Sequence, residues 1–271
     1  MSAPLRLAVL GEPLDYTLSP ALHRAGLADL GIACESEALR VPPARLGEAL
    51  ATLAASGYRG ANLTHPLKEP ALAHVQDASE SARRAHSVNT VTFGVGGTRG
   101  DTTDGAGFLD LLDHHGWPVR GAGVVLLGAG GAARSVGLAL LEAGASPVTV
   151  CARRPETVAA RWEGIVGATL VGWASEAAGA ALAGAGLVVN ATPLVGEGLP
   201  CALDRVPRTC RVVDLVYGPE TTPWVRAARA AGFAALDGLW LLIFQARRSI
   251  ALWTGRQPRL EVLARAAGWP K

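Results

Sequence analysis

Val124-Val125-Leu126-Leu127-Gly128-Ala129-Gly130-Gly131-Ala132-Ala133 carries four apolar residues straight into a G-x-G-x-x-A turn. Such a run predicts a buried strand, a tight turn and the start of a helix. Gly128 fits the tight turn, Gly130 a close backbone approach, and Ala133 the packing of helix on strand. The free N–H groups and partial positive charge at the helix start suit a pyrophosphate. The pattern therefore predicts a dinucleotide site in the middle of the chain.

Downstream, Pro147–Ala152, Leu187–Ala191 and Arg211–Leu215 read as further strands, with a helix predicted over Gly131–Ala143. A bound NAD usually meets an Asp or Glu about twenty residues past the glycine turn, at the next strand end. Here that end reads Cys151-Ala152-Arg153-Arg154-Pro155. Two guanidinium groups suit a 2′-phosphate, so the reading favours NADP. A solvated turn is the competing account of this arginine pair.

Upstream, short apolar runs alternate with helical patterns. Strands are predicted at Leu5–Leu10, Cys34–Leu39 and Gly60–Leu63, and helices at Pro20–Leu30 and Pro43–Ala55, a rhythm that implies a largely parallel sheet. Val88–Phe93 and Thr98–Asp101 flank Gly94-Val95-Gly96-Gly97 as a hairpin, which makes this first sheet mixed. Asp104–His115 is predicted as a helix leading out of the first unit. Leu239–Trp253 is an apolar helix, Arg259–Ala267 another, and both are expected to return to the first unit. The expected fold class is α/β: an N-terminal mixed-sheet substrate domain over 1–103, completed by 238–271, and a Rossmann-type doubly wound domain over 104–237, with a cleft between them.

With 271 residues, 49% hydrophobic and 18% charged, the chain can bury a large core and is not disordered. A net charge of +2 gives no electrostatic footprint for nucleic acid. Leu7–Leu10 ends in Gly11-Glu12 and reads as a strand rather than a signal peptide. The alanine-rich stretch Val171–Val189 contains Glu176 and is a poor membrane span. A cytoplasmic protein without membrane or nucleic-acid partners is expected. Cys34, Cys151, Cys201 and Cys210 lack metal-ligand spacing and read as reduced thiols, so no metal site is expected.

In the first half, Asn62-Leu63-Thr64-His65-Pro66-Leu67-Lys68 places a lysine just past a proline-stiffened loop. Reducing a ketone by hydride transfer needs a proton for the alkoxide oxygen. Lys68, managed by the carboxylate of Asp104, can supply it without metal. An opposite charge raises a lysine pKa and desolvation lowers it, so the two effects compete. Thr17 and Ser19, beside a helix start, can donate to a carboxylate, while Ser19 with Pro20 also reads as an N-cap with proline at N1. Asn89 doubles as a turn asparagine and Tyr217 as turn closure before Gly218-Pro219. Gln245, on an apolar helix, requires several partners. His23, His65 and His74 read as packing or surface residues.

NLTHPLK, VNT (Val88–Thr90), TTDGAGF (Thr102–Phe108), GAGGAA, NATP (Asn190–Pro193), DLVY (Asp214–Tyr217) and DGLWLLIFQA (Asp237–Ala246) occur in this order. Together they resemble the shikimate dehydrogenase family over essentially the whole chain. That resemblance implies NADPH-dependent, reversible reduction of 3-dehydroshikimate to shikimate, in chorismate and aromatic amino acid biosynthesis. It implies Lys68 and Asp104 as the catalytic pair, and Asn62, Thr64, Asn89 and Gln245 at the ring hydroxyls. Thr17, Ser19 and Tyr217 would face the carboxylate. Gly128, Gly130, Gly131, Ala132, Arg153, Arg154, Thr192 and Gly238 would serve NADP, in a monomer or homodimer. The chain departs from the family pattern at Tyr16-Thr17, at Thr102, at His86 where a glycine is common, and at Trp240 where a small residue is common. These departures leave open a paralogue acting on quinate or a related substrate or using NAD, and a non-catalytic metabolite-binding paralogue.

Overall fold

The computed structural model describes residues 3–194, 201 and 203–269, and they form two compact units. The first comprises residues up to Gly107 together with the segment from Leu242, and the second runs from Phe108 to Leu241. In chain order the first unit contains β1 (Leu5–Gly11), α1 (Ser19–Asp29), β2 (Cys34–Arg40), α2 (Leu46–Ala55), β3 (Gly60–Leu63), β4 (Asp77–Ala78), α3 (Glu80–Ala85), β5 (Thr90–Gly94) and β6 (Gly97–Asp101). Then α4 (Asp104–His114) carries the chain into the second unit, which contains β7 (Val124–Leu127), α5 (Gly131–Glu142), β8 (Val148–Ala152), β9 (Ala168–Gly172), α6 (Glu176–Ala183), β10 (Leu187–Asn190), β11 (Arg211–Asp214), α7 (Pro223–Ala230) and β12 (Ala234–Leu236). The chain ends with α8 (Gly238–Thr254) and α9 (Leu260–Ala266). The unit boundaries fall inside α4 and α8, not at the helix starts where the sequence reading divides the chain. Both helices continue across the boundary, α4 from Gly107 to Phe108 and α8 from Leu241 to Leu242.

The first sheet has the order β2-β1-β3-β5-β6-β4. β1 pairs parallel with β2 and β3, whereas β3–β5 and β5–β6 pair antiparallel. The Gly94–Gly97 hairpin sets the second of these pairings, because a two-residue turn can only join antiparallel strands. Two reversals leave β6 running the same way as β1 and β3. The ends of β1, β3 and β6 therefore emerge at one end of the sheet, beside the start of β5. Ala8, Leu10, Leu46, Leu50, Leu63, Leu67 and Val91 fill the core on one side of it.

The second sheet has the order β12-β11-β10-β7-β8-β9, and every pair in it is parallel. The chain runs outward from β7 to β9, then returns to the other side of β7 for β10, β11 and β12. β7, β8 and β10 are buried along their whole length, as expected of strands covered by helices on both faces. Val125, Leu127, Val188, Val212, Trp224 and Val225 belong to its core.

Some local expectations shift by a residue. Ser19 is the first residue of α1 and not its cap: the Leu18 carbonyl accepts the first helical bond, from Leu22 at 3.0 Å. Thr17 Oγ1 instead accepts from the Ser19 amide at 3.3 Å, so the hydroxyl serving the helix start lies two residues earlier than predicted. All four cysteines are free thiols; Cys151, Cys201 and Cys210 are buried and Cys34 half-buried. Burial pushes the Cys151 and Cys210 thiols up to about 11 and Cys201 up to about 12. Among the described residues no helix is long and apolar enough to cross a membrane.

His86 is the one non-glycine residue with positive φ among those described; it ends α3 in the left-handed region at φ 45°, ψ 44°. A Cβ is strained there, which is the physical reason a glycine suits this position. Relieving roughly 1–2 kcal/mol of left-handed strain, against about 0.5–1 kcal/mol of added chain entropy, predicts that His86→Gly stabilises the protein. A thermal melt should show a rise of about 1–4 °C. A lower melting temperature would mean that the His86 side chain contributes more than the strain removes.

Candidate active site

In the first unit, the shared end of the sheet gathers the polar residues picked out in the sequence. Main-chain bonds stitch the pieces together: Leu63 N–H donates to Asn89 O at 2.8 Å, Val88 N–H to Lys68 O at 2.8 Å, and Asn89 N–H to Asp101 O at 3.0 Å. Leu67, fully buried, anchors the lysine loop in the core. Lys68 Nζ then donates to Asp104 Oδ2 at 2.6 Å, with the two side chains 19% and 2% exposed. The lysine remains reachable from outside while the carboxylate is enclosed. Asp104 also opens α4, where the positive end of a helix favours a negative charge.

The other Asp104 oxygen accepts from Asn89 Nδ2 at 2.7 Å. That amide nitrogen also contacts Gln245 Oε1 at 2.9 Å and Thr103 Oγ1 at 3.0 Å. Asn89 Oδ1 accepts from Thr103 N at 2.8 Å and from Thr90 Oγ1 at 3.0 Å. With two hydrogens on the nitrogen, Asp104 and Gln245 hold the closest contacts, and Thr103 Oγ1 can donate to Asn89 Oδ1 at 3.2 Å instead. Removing one member of a buried ion pair leaves an uncompensated charge worth about 3–5 kcal/mol, so the pair and its amide partner form one unit.

From α8, Gln245, Ser249 and Trp253 recur every four residues on one face. Gln245 meets Asn89, Ser249 Oγ lies 2.8 Å from Thr90 Oγ1, and Trp253 Nε1 donates to Val91 O at 3.0 Å. The helix is thus keyed to the start of β5. Asn62 is engaged on both sides: Oδ1 with His23, and Nδ2 with Asn89 O, Thr90 Oγ1 and Ser249 Oγ at 3.0, 3.0 and 3.1 Å. Thr64, half-buried, follows β3, and Thr17 with Ser19 follows β1, both at this same sheet end. Tyr217 belongs to the second unit, half-buried after β11.

In the second unit, the sheet order changes direction between β7 and β10, and the ends of those strands bear Gly128 and Thr192. An open parallel sheet takes its ligand at such a switch point. Gly128 has φ +107°, and a Cβ there would stand 2.9 Å from Thr192 Cγ2 and 3.0 Å from Ala191 O. Only glycine meets both demands. Gly130 precedes α5 in an extended conformation, no side chain caps that helix, and Gly131 and Ala132 begin it. Its first-turn N–H groups are suited to a pyrophosphate, so the residues present fit a dinucleotide. Arg153 and Arg154 are exposed at the end of β8, with the Arg153 guanidinium 5.6 Å from the Trp173 ring centre. Gly238, at the start of α8, packs directly on backbone: a Cβ would meet Leu215 O at 2.2 Å.

Several further residues organise these sites. Thr192 Oγ1 donates to Asn190 Oδ1 at 2.6 Å, and Asn190 Nδ2 donates to Asp214 Oδ1 at 2.8 Å. Val216 N and Thr222 Oγ1 complete the Asp214 shell at 3.0 and 2.7 Å. A polar residue at the end of a short valine-rich strand, Asn190 on β10 and Asp214 on β11, was the available signal for this chain of contacts. In α1, His23 lies with Leu22, Gly26 and Leu27 on the buried face, and a histidine in an apolar stripe needs partners for both ring nitrogens.

The fold and sites define an α/β protein pairing a Rossmann-type nucleotide-binding unit with a mixed-sheet unit that carries a lysine–aspartate pair. Residues 9–91 match the family described as shikimate dehydrogenase substrate binding domain. Over 266 residues the chain is 42% identical to shikimate dehydrogenase (NADP(+)) of Methylobacterium radiotolerans, covering 94% of this chain and 93% of that protein. The enzyme of the same name from Symbiobacterium thermophilum is 40% identical, over 96% of this chain and 92% of its own. Shikimate 5-dehydrogenase from Thermus thermophilus, solved in complex with NADP(H) and shikimate, superposes with a TM-score of 0.87 at 38% identity, over 97% of this chain and 98% of its own. The chain belongs to the shikimate dehydrogenase family.

Burial pushes the Asp214 carboxyl above its ordinary 3.8, and Asp237 pushes it the same way, while the donors Thr222, Val216 and Asn190 partly oppose the shift. A raised folded pKa means that the native state binds the proton more tightly than the unfolded chain. This contribution to stability is complete below about pH 4 and is lost as pH rises through the folded value. Asp214→Asn removes the titration. Urea unfolding at a series of pH values should show wild type gaining stability relative to that variant as pH falls from 7 toward 4. A constant difference would contradict the shift.

Proposed function

We propose that this protein catalyses the reversible, NADPH-dependent reduction of 3-dehydroshikimate to shikimate, an oxidoreductase step on a CH–OH group in chorismate and aromatic amino acid biosynthesis. The observation that carries the reading is Lys68 Nζ, partly open to solvent, held 2.6 Å from the enclosed Asp104 carboxylate. Family membership supports it independently.

On this reading the first unit binds the substrate. Lys68 gives a proton from Nζ to the ketone oxygen as negative charge develops there, and takes it back in the oxidative direction. Asp104 holds that ammonium in place and balances its charge. Asn62, Thr64, Asn89 and Gln245 meet the ring hydroxyls. Thr17, Ser19 and Tyr217 serve the carboxylate. Gly128, Gly130, Gly131 and Ala132 hold the pyrophosphate of NADP, and Arg153 and Arg154 hold its 2′-phosphate. Thr192 and Gly238 shape the nicotinamide side. When bound, NADPH supplies the hydride. The same reading makes the protein a cytoplasmic monomer or homodimer whose partners are small molecules.

Lys68→Ala should lower kcat by about 10²–10⁴-fold with a modest change in substrate KM, followed by NADPH absorbance with 3-dehydroshikimate. Unchanged turnover would remove the lysine from the chemistry. Replacing both Arg153 and Arg154 by alanine should raise the KM for NADPH by about 10–100-fold and leave that for NADH nearly constant. Equal effects on both cofactors would detach the arginines from the 2′-phosphate. Running wild type with dehydroquinate and NADH in parallel separates a quinate-type enzyme from the proposed one, and binding without turnover would identify a non-catalytic relative.

A further inference from the structure

His23 is fully buried in α1, and both of its ring nitrogens are occupied. Nδ1 lies 2.8 Å from Ser36 Oγ, and Nε2 lies 2.8 Å from Asn62 Oδ1. The ring also packs edge-on against Trp253, with centroids 5.2 Å apart. The surroundings fix its tautomer. Asn89 O can only accept, so the nitrogen of the Asn62 amide faces it and the oxygen faces His23. Nε2 must then carry the hydrogen, and Nδ1 accepts from the Ser36 hydroxyl. Burial lowers the ring pKa to about 4, which keeps this neutral form in place at physiological pH.

Beyond Asn62 the contacts run on without a break. Its nitrogen reaches Asn89 O and the hydroxyls of Thr90 and Ser249, and the Asn89 side chain then binds Asp104 and Gln245. No step in this series is longer than 3.1 Å. The Asn89 carbonyl sets which way the Asn62 amide faces, and Nε2–H engages its remaining oxygen. The ring thus holds from behind an amide that lies directly behind the proton-transfer pair.

We propose that His23 is a positioning residue: through Nε2–H it holds the Asn62 amide in place against Asn89, which in turn aligns Asn89 and Asp104 beneath Lys68. The inference rests on the shikimate dehydrogenase reading for its effect on turnover, but not for the relay itself.

Two variants separate positioning from packing. The side-chain nitrogen of glutamine reaches as far as Nε2, so His23→Gln keeps the donor to Asn62 and loses Ser36. Asparagine reaches only as far as Nδ1, so His23→Asn keeps the Ser36 contact and loses Asn62. Both leave volume unfilled. His23→Asn should lower kcat with shikimate by about 10–100-fold at an unchanged KM for NADP⁺, while His23→Gln stays within about threefold of wild type. In ligand-free protein, nitrogen-15 spectra should show the Asn62 and Asn89 side-chain amide signals displaced in His23→Asn and retained in His23→Gln. Equal losses in the two variants, tracking their melting temperatures, would overturn the proposal, as would unmoved amide signals in His23→Asn. If wild type fails to turn over shikimate, the proposed function falls and the amide signals alone decide the relay.

Discussion

The amide of Asn89 is the point on which the first unit's site depends. One side chain, itself buried, binds the carboxylate at the start of α4, Gln245 on α8 and the Thr103 main chain. A buried amide that loses a partner costs on the order of 1–3 kcal/mol, so each contact restrains the others. Asp104 can be a well-placed buried carboxylate only because Asn89 satisfies the oxygen that Lys68 does not. The polar cluster therefore sets its own geometry, and the apolar core beneath it fixes where the backbone presents it.

The second unit solves a different problem by shape. The chain winds outward from β7 to β9 and then reverses once to add β10, β11 and β12 on the other side, which leaves a gap between the outgoing helices at β7 and β10. Gly128 adopts a left-handed conformation there, against Thr192 and Ala191, with room for no side chain. Next to it, the Thr192–Asn190–Asp214–Thr222 contacts close the ends of β10 and β11 with a carboxylate taken out of water. The donors around Asp214 compensate for its burial only in part, and this is visible in the upward displacement of its pKa.

Short strands bounded by a recognisable loop were legible in the sequence, β3 before the lysine loop and β7 before the glycine turn to the residue. The hairpin was legible from its turn. β9 and α6 were not, because Ala168–Gly172 and the alanine-rich Glu176–Ala183 carry little contrast between their faces. Nor was α7, although Thr222-Pro223 is a recognisable start, with Thr222 Oγ1 accepting from Val225 N. Lys68, Asp104, Asn89 and Gln245 could be named through the motifs around them. His23 reads only as a packing or surface residue, Asn190 only as part of NATP, and Ser249 carries no signal, because a polar residue in an apolar pattern announces a partner without saying which.

The sequence by itself determined where most of the strands, turns and helices lie, which glycine must turn, and which side chains carry charge, since these follow from local sterics and periodicity. Only the tertiary structure decided that residues 23, 62, 89, 104 and 245 share one hydrogen-bonded series, and that the sheet reverses between β7 and β10. Such contacts join positions as far as 187 residues apart, as Asn62 and Ser249 are. Their pairing is set by strand register and helix packing, which no local pattern encodes.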